Sequence, residues 1–238
     1  MQQPSSTSLS GIMPLRQWLT FGLAALVLLG STVTGGTPQP SARPREAETD
    51  SITVSINGDR YQQKALGEVV TGAFVRSGKE AYLESETASD RKPRLERLQS
   101  GDADLVLGCT GELLFYLDPA LAQELSAQYQ RDKEKGLDPN DGTWRDKVYQ
   151  AMVGSLPNTM MATDPSNATG CNGYDGPELP QNVVPVFRET ALQRRDRLTL
   201  NQISGGITTK DLDELFAGPR DDDATKERAQ KLLSKLDF

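Results

Sequence analysis

The sequence predicts an α/β fold in which a mostly parallel β-sheet is flanked by helices, with extra helices at the C-terminal end. Short β-branched or apolar runs alternate with helical stripes of apolar residues between residues 52 and 107. Strand, helix, strand, helix and strand within about 55 residues make two βαβ units, and such units place their strands in parallel. Glycine-containing turns separate these elements, as connections in a packed domain require.

The predicted strands differ in their patterns. Residues 52–56 alternate and are β-branched, as in a half-buried strand. Residues 104–107 are apolar at consecutive positions, which is typical of a buried parallel strand. Pro185 lies inside the last apolar run, so we expect that strand at a sheet edge or at a crossing point. The predicted strands are residues 52–56, 81–86, 104–107, 159–162 and 183–187.

The predicted helices are marked by apolar stripes and by caps. The first stripe recurs at i, i+3, i+4, i+7 and i+8 from Leu66. Asp118 can cap a helix that starts at Pro119, and Thr208 begins a capping-box pattern. Three aspartates open the last helix, where they suit the helix dipole. The predicted helices lie around residues 66–77, 91–100, 119–135, 144–152, 192–205, 209–217 and 221–235.

The N-terminal residues predict export. Residues 19–29 form an apolar run that Arg16 precedes and small polar residues follow, which is the pattern of a signal peptide. The run is shorter than the roughly 20 residues that a membrane span needs. We therefore expect residues 1–37 to be a signal peptide or a retained N-terminal anchor that contacts the membrane. Residues 38–50 are expected to be a disordered linker, and the protein an exported one of the cell envelope.

Charge and composition disfavour several functions. The chain of 238 residues has a net charge of −7 and no basic cluster, which argues against binding to nucleic acid. It has no histidine, so histidine-based triads and histidine-ligated zinc are excluded. The turn at 137–143 lacks the spacing of a calcium loop. We expect no enzyme activity, no cofactor and no metal site.

The two cysteines, Cys109 and Cys171, fit an oxidising compartment and could form one disulfide. A bridge that closes a loop of about 60 residues would stabilise the fold by about 4 kcal/mol on the chain-entropy estimate. Two buried free thiols are the alternative, because spacing alone does not establish pairing.

Four stretches together resemble the substrate-binding proteins of glycine betaine/choline (osmoprotectant) ABC transporters. The stretches are ITVSINGDRYQQKALGE at 52–68, LERLQSGDADLVLGCTGELL at 95–114, QNVVPVFRETAL at 181–192 and ITTKDLDEL at 207–215. The resemblance implies that residues 51–238 form a single Rossmann-like lobe of a type II periplasmic binding protein. Between the outgoing segment near residue 167 and the return at residue 181, where the family inserts a second lobe, this chain has only a short loop.

The resemblance implies a solute-binding component of an ABC importer for osmoprotectants such as glycine betaine, choline or proline. Its partners would be an ABC permease and ATPase, and its ligand a small zwitterion or quaternary amine. Ligands of open α/β sheets bind at the carboxyl ends of the strands. The candidate ligand-binding residues there are Asn57, Gly58, Asp59, Tyr61, Thr110 and Gly111. A bridge between Cys109 and Cys171 would seal the shortened loop over the rim of this cleft.

Two alternatives stay open at this point. The six loop residues could serve only as turn residues. The whole chain could also be a non-transport envelope protein that retains one lobe, binds no small solute and contacts another protein. The missing lobe favours this alternative, as does Cys109, which stands where the family has an aromatic residue that would hold a quaternary amine. Saturable solute binding would favour the importer component.

Overall fold

The computed structural model describes residues 51–86, 94–138 and 142–238. In this part of the chain one five-stranded sheet is covered by helices on both faces. The strands are β1 (Ser51–Asn57), β2 (Glu80–Glu86), β3 (Leu105–Cys109), β4 (Met160–Ala162) and β5 (Val183–Arg188). The helices are α1 (Tyr61–Arg76), α2 (Arg94–Ser100), α3 (Thr110–Leu117), α4 (Pro119–Glu134), α5 (Thr143–Gly154), α6 (Arg194–Gly206), α7 (Thr209–Phe216) and α8 (Asp222–Lys235).

The predicted export segment (1–37) and linker (38–50) lie outside the described residues, so both stay predictions. Within residues 51–86, 94–138 and 142–238, no helix has the length and apolar character needed to cross a membrane.

The sheet is mixed, with the strand order β2-β1-β3-β5-β4. β1 pairs in parallel with β2 and with β3, as the two βαβ units predict. β5 is antiparallel to both of its neighbours, β3 and β4. The expected mostly parallel sheet is therefore correct for the β1–β3 half and wrong for the β5 pairings. The physical reason is that residues 163–182 join β4 to β5 without a crossover helix, and such a connection returns antiparallel.

Pro185 does not lie in an edge strand, because β5 is placed between β3 and β4. The Pro185 carbonyl accepts a hydrogen bond from the Thr163 amide at 3.3 Å. In an antiparallel strand the N–H and C=O of one residue point to the same side. The side of Pro185 that lacks an N–H donor therefore faces Thr163, just beyond the end of β4. The β3–β5 ladder loses no hydrogen bond to the proline.

Alternating side chains of the strands build two separate apolar cores. Ile52, Val54 and Ile56 of β1 face one core, which α1, α6, α7 and α8 cover. Val184 and Val186 of β5 face the other core, which α2, α3, α4 and α5 cover. Each fully buried aliphatic side chain contributes about 1.5–3 kcal/mol through the apolar area it removes from water. The two layers therefore hold the sheet from both sides.

Asp104 links three neighbouring strands at the start of β3. Its carboxylate accepts a hydrogen bond from the Thr53 amide of β1 at 2.9 Å. The other carboxylate oxygen accepts from the Arg188 guanidinium of β5 at 2.5 Å. The Asp104 side chain is 9% exposed, so these partners replace water that it has lost.

Two predicted helix caps are present. The Asp118 carboxylate accepts from the Leu121 amide at 2.9 Å, and Pro119 is the first residue of α4. Thr208 and Asp211 form a reciprocal capping box at the start of α7. Burial raises the pKa of Asp211, but hydrogen bonds from Lys235 and Thr208 outweigh it and hold the pKa below its ordinary value.

Helix α3 was not predicted. Its residues, TGELLFYL, follow β3 with no intervening turn residue, so the sequence carries no signal that the strand has ended. Thr110 and Gly111, which were expected in a loop, are the first two residues of this helix. The correction matters for function, because the first amides of a helix point outward and can bind anionic groups.

Candidate functional site

The candidate site lies where β1 and β3 end, side by side in the sheet. The chain leaves β1 through a turn at residues 58–60 and enters α1. It leaves β3 directly into α3. The Arg60 guanidinium donates to the Glu112 carboxylate at 3.0 Å, which ties the two elements together. The predicted loop residues of β1 and β3 therefore meet at one edge of the sheet.

The turn after β1 uses its polar groups within the protein. The Asn57 amide donates to the Gln63 side-chain oxygen at 2.9 Å, and the Gly58 amide donates to the Glu86 carbonyl at 2.9 Å. The Asn57 side chain accepts from the Asp59 amide at 2.9 Å. The amides of Asn57 and Gly58, which were expected to face a solute, thus already have acceptors.

Tyr61 lies apart from the other predicted residues. Its hydroxyl forms a hydrogen bond of 3.2 Å with the Thr225 hydroxyl of α8 and also accepts from Arg228. The Arg220 guanidinium lies 5.2 Å from the centre of its ring. Tyr61 therefore connects α1 to the C-terminal helix α8.

A loop that we call the strap, residues 171–182, covers the start of α3. The Thr110 amide donates to the Asn182 carbonyl at 3.0 Å, and the Thr110 hydroxyl donates to the Pro180 carbonyl at 2.9 Å. The Glu112 amide donates to the Gln181 side-chain oxygen at 3.0 Å. The N-terminus of α3 is therefore occupied by the protein's own carbonyl and carboxamide groups.

The strap fits closely because position 111 is glycine. A Cβ atom at Gly111 would lie 2.6 Å from the Gln181 side-chain nitrogen, 2.9 Å from Leu179 Cβ and 3.0 Å from the Pro180 carbonyl oxygen. Two of these neighbours are backbone or Cβ atoms that cannot rotate away. The Thr-Gly pair of the sequence thus permits the backbone of the strap to approach α3.

The first residue of the strap is bonded to the end of β3 by the Cys109–Cys171 disulfide, which confirms the expected bridge. Cys109 is buried in the sheet, whereas Cys171 is partly exposed and has a positive φ of 55°. Beneath the bridge remains a cavity of about 20 Å³, lined in part by Gln63, Leu107 and both cysteines. That volume suits about one water molecule. It is far below the roughly 300 Å³ or more of a small-molecule site.

Gln63 is a site residue that the sequence analysis did not select. Its side chain is 6% exposed and lines the remaining cavity. Its oxygen accepts from the Asn57 amide, but among the described residues its Nε2 has no hydrogen-bond partner. A buried donor without an acceptor carries a desolvation cost of about 1–3 kcal/mol. A signal was available, because Gln63 is the first residue of the Gln-Lys-x-Leu-Gly-Glu motif that carries part of the family resemblance.

Three further polar atoms near the start of α3 are buried and unpaired among the described residues. They are the Tyr174 hydroxyl, the Gln181 Nε2 and one oxygen of Glu112. Burial first, and then the negative charges of Glu112 and Asp175, raise the pKa of Tyr174 to about 12. Tyr174 is thus a neutral hydrogen-bond donor at physiological pH.

A larger groove of about 720 Å³ lies between the strap and helices α4 and α5. The rings of Tyr129 and Trp144 line it and meet edge to face at 5.2 Å. The Lys147 ammonium lies 4.2 Å from the centre of the Trp144 ring, and Lys133 lies 5.6 Å from that of Tyr129. The aromatic faces that could hold a quaternary amine through cation–π contact are thus in contact with the protein's own lysines.

The described residues contain no group of three or more His, Cys, Asp or Glu side chains arranged to hold a metal ion. At the α3 edge the polar groups are backbone amides, the guanidinium groups of Arg60 and Arg94, and the carboxylate of Glu112. These groups can bind a small polar molecule.

No protein-family model and no curated protein sequence matches this chain. Among solved structures, the chain is similar to apo YehZ from Escherichia coli, with a TM-score of 0.55 and 12% sequence identity. The match covers 78% of this chain and 98% of that chain. At this level of identity the likeness shows the α/β fold alone and nothing about ligand or activity.

Proposed function

We propose that this protein is a solute-binding component of an importer, with its solute site at the edge of the sheet where β1 and β3 end. The observation that carries the proposal is Gln63, whose buried side-chain nitrogen lines the cavity at this edge and has no acceptor among the described residues. Buried donors normally have a partner, so Gln63 offers a hydrogen bond at this edge that the described residues do not use. The fold likeness to YehZ agrees with a protein of this kind.

The donors around this edge favour a ligand that carries a carboxylate or another polar oxygen. The Glu112 amide at the start of α3 donates to the Gln181 side-chain oxygen. The Arg60 guanidinium donates to the Glu112 carboxylate. Helix N-termini favour anionic groups through their free amides and the helix dipole. Proline and glycine betaine have a carboxylate, whereas choline does not. We therefore expect zwitterions to bind in preference to choline.

The proposed partners, an ABC permease and ATPase, rest on the sequence resemblance. Export to the cell envelope rests on the N-terminal apolar segment, and the absence of catalysis rests on the composition of the chain. A solute-binding lobe needs only to bind and release its ligand, which agrees with a chain that has no histidine.

Isothermal titration calorimetry tests the proposal. Proline, glycine betaine and choline should be titrated into the protein with the disulfide intact and into the protein with the disulfide reduced. We expect saturable heat for at least one zwitterion in one of these states. Gln63→Ala should weaken that binding about fivefold or more, since one hydrogen bond in a buried site is worth about 1 kcal/mol or more.

Gln123→Ala is the matched control, because Gln123 is exposed on α4 and lies outside the cavity. The control variant should bind as the parent does. Flat titrations in both states would contradict the proposal, and so would equal binding by Gln63→Ala and the parent.

A non-transport envelope protein that contacts another protein is the second candidate. The observation that favours it is the volume of about 20 Å³ left at the predicted cleft, which is too small for an osmoprotectant. Flat titrations in both redox states, together with a membrane protein that co-purifies with the full chain, would support this second candidate over the first.

A further inference from the structure

We propose that the strap is an intramolecular pseudo-ligand and that the Cys109–Cys171 disulfide is the latch that keeps it in the solute site. This inference rests on the proposed function, because it assigns a regulation to the same site. Reduction of the bridge releases the strap and makes the start of α3 accessible to a carboxylate-bearing solute.

Gln181 binds the start of α3 with its side chain. Its side-chain oxygen accepts from the Glu112 amide at 3.0 Å, as one carboxylate oxygen of a bound zwitterion would. Its Nε2 is buried and unpaired among the described residues. The Gln181 carboxamide therefore gives the Glu112 amide an acceptor, but its own Nε2 donor has no acceptor among the described residues. A solute carboxylate, which has no such donor, would bind the same amide without this cost.

Hydrogen bonds from α3 hold residues 180–182 of the strap, whereas residues 171–178 have few contacts with the rest of the described chain besides the disulfide. Residues 171–182 contain no helix or strand and include two glycines and two prolines. Leu179 is the one apolar side chain of the strap that is buried in a core. The ion pair between Glu178 and Lys133 is exposed on both sides, and such pairs contribute little. The covalent bond at Cys171 is thus the strongest restraint on the N-terminal end of the strap.

The two cysteines of the bridge differ in their exposure. Cys171 lines the large groove of about 720 Å³ as well as the small cavity, whereas Cys109 is 1% exposed. A reductant can therefore reach the Cys171 sulfur from the groove. Thiol–disulfide exchange needs access to only one of the two sulfurs.

The chemical step requires a dithiol reductant. One thiolate of the reductant attacks the Cys171 sulfur, the sulfur–sulfur bond breaks, and Cys109 leaves as a thiolate that takes up a proton. The second thiol of the reductant then displaces the Cys171 sulfur, which is also protonated. The protein gains two electrons and two protons, and the reductant leaves as its own disulfide.

Hydrogen exchange followed by mass spectrometry tests the latch on the full chain, with dithiothreitol as the reductant. We expect peptides from residues 171–182 and from the start of α3 to exchange about tenfold faster or more after reduction. Peptides from β1 and α1 should stay unchanged. Cys171→Ser should show the fast exchange without reductant. If that variant does not fold, the chemically reduced parent protein supplies the same comparison.

Calorimetry with proline then separates the latch from the proposed function. Proline binding to the reduced protein and not to the oxidised protein supports both. A strap that stays protected after reduction overturns the latch, even if proline binds in both states. A strap that opens without proline or glycine betaine binding in any state supports the latch as a conformational device and contradicts the proposed function.

Discussion

The disulfide between Cys109 and Cys171 should contribute about 4 kcal/mol to the free energy of unfolding. The two cysteines are separated by 62 residues in sequence. In the chain-entropy treatment, closing a loop of that length removes about 14 cal/mol/K of entropy from the unfolded chain, which is about 4 kcal/mol at 25 °C. The reduced protein should nevertheless stay folded, because the two cysteines are a small part of the first apolar core and the second core contains neither.

Urea unfolding followed by far-ultraviolet circular dichroism, with and without dithiothreitol, measures this contribution in one and the same sequence. For a slope of about 2 kcal/mol per molar urea, the midpoint should fall by about 2 M on reduction. The double variant C109S/C171S is the control and should not respond to the reductant. A fall of less than about 0.5 M in the parent, or an equal fall in the double variant, would refute the reasoning.

Three further predictions concern polar groups of the fold. Asp104→Ala should lower the free energy of unfolding by about 3 kcal/mol, because the Thr53 amide and the Arg188 guanidinium lose their acceptor. Glu214→Ala is the control, because it removes only an exposed ion pair. In the same urea experiment it should change the free energy of unfolding by less than about 0.5 kcal/mol. Because the folded-state pKa of Asp211 is lowered, its stabilising contribution is present above its unfolded pKa of about 3.9 and is lost as the pH falls through the folded value. Asp211→Asn should therefore flatten the acid limb of thermal stability against pH, and an unchanged limb would contradict this. Tyr174→Phe should leave stability unchanged or raise it by up to about 1 kcal/mol, because the removed hydroxyl is buried and unpaired; ultraviolet titration should show that the variant has lost a phenol with a pKa of about 12.

The elements that could be predicted from the sequence are those whose signals are local. β1 and α1 follow from a period of two and a period near 3.6 in the apolar residues, and the caps at Asp118 and Thr208 follow from their side chains. These signals predict the structure correctly because each depends only on residues that are close together in sequence. Helix α3 could not be predicted, since its apolar residues continue those of β3 and no turn residue separates the two.

The antiparallel direction of β5 depends on a different kind of information. The run at 183–188 has the composition of a buried strand in either direction. Its direction is decided by the connection from β4 and by the pairing of Cys109 with Val183 at the far end of β3. Both are tertiary features that no window of sequence contains.

The candidate site could be predicted only in its location. The residues after β1 and β3 do meet at one edge, as the strand order requires. What the sequence could not indicate is that the strap would supply acceptors to the start of α3, because Gln181 and Glu112 are distant in sequence and meet only through folding. Tyr61 was expected with the others, but its position on the first turn of α1 directs its hydroxyl to α8.

The contact between α1 and α8 has a consequence for the order in which the protein can fold. Arg76 near the end of α1 donates to the Phe238 carbonyl, and Lys64 pairs with Asp222 at the start of α8. During synthesis the side of α1 that contacts α8 therefore stays uncovered until residues 222–235 have been made. Contacts between such distant segments form slowly, because a long loop has to close first.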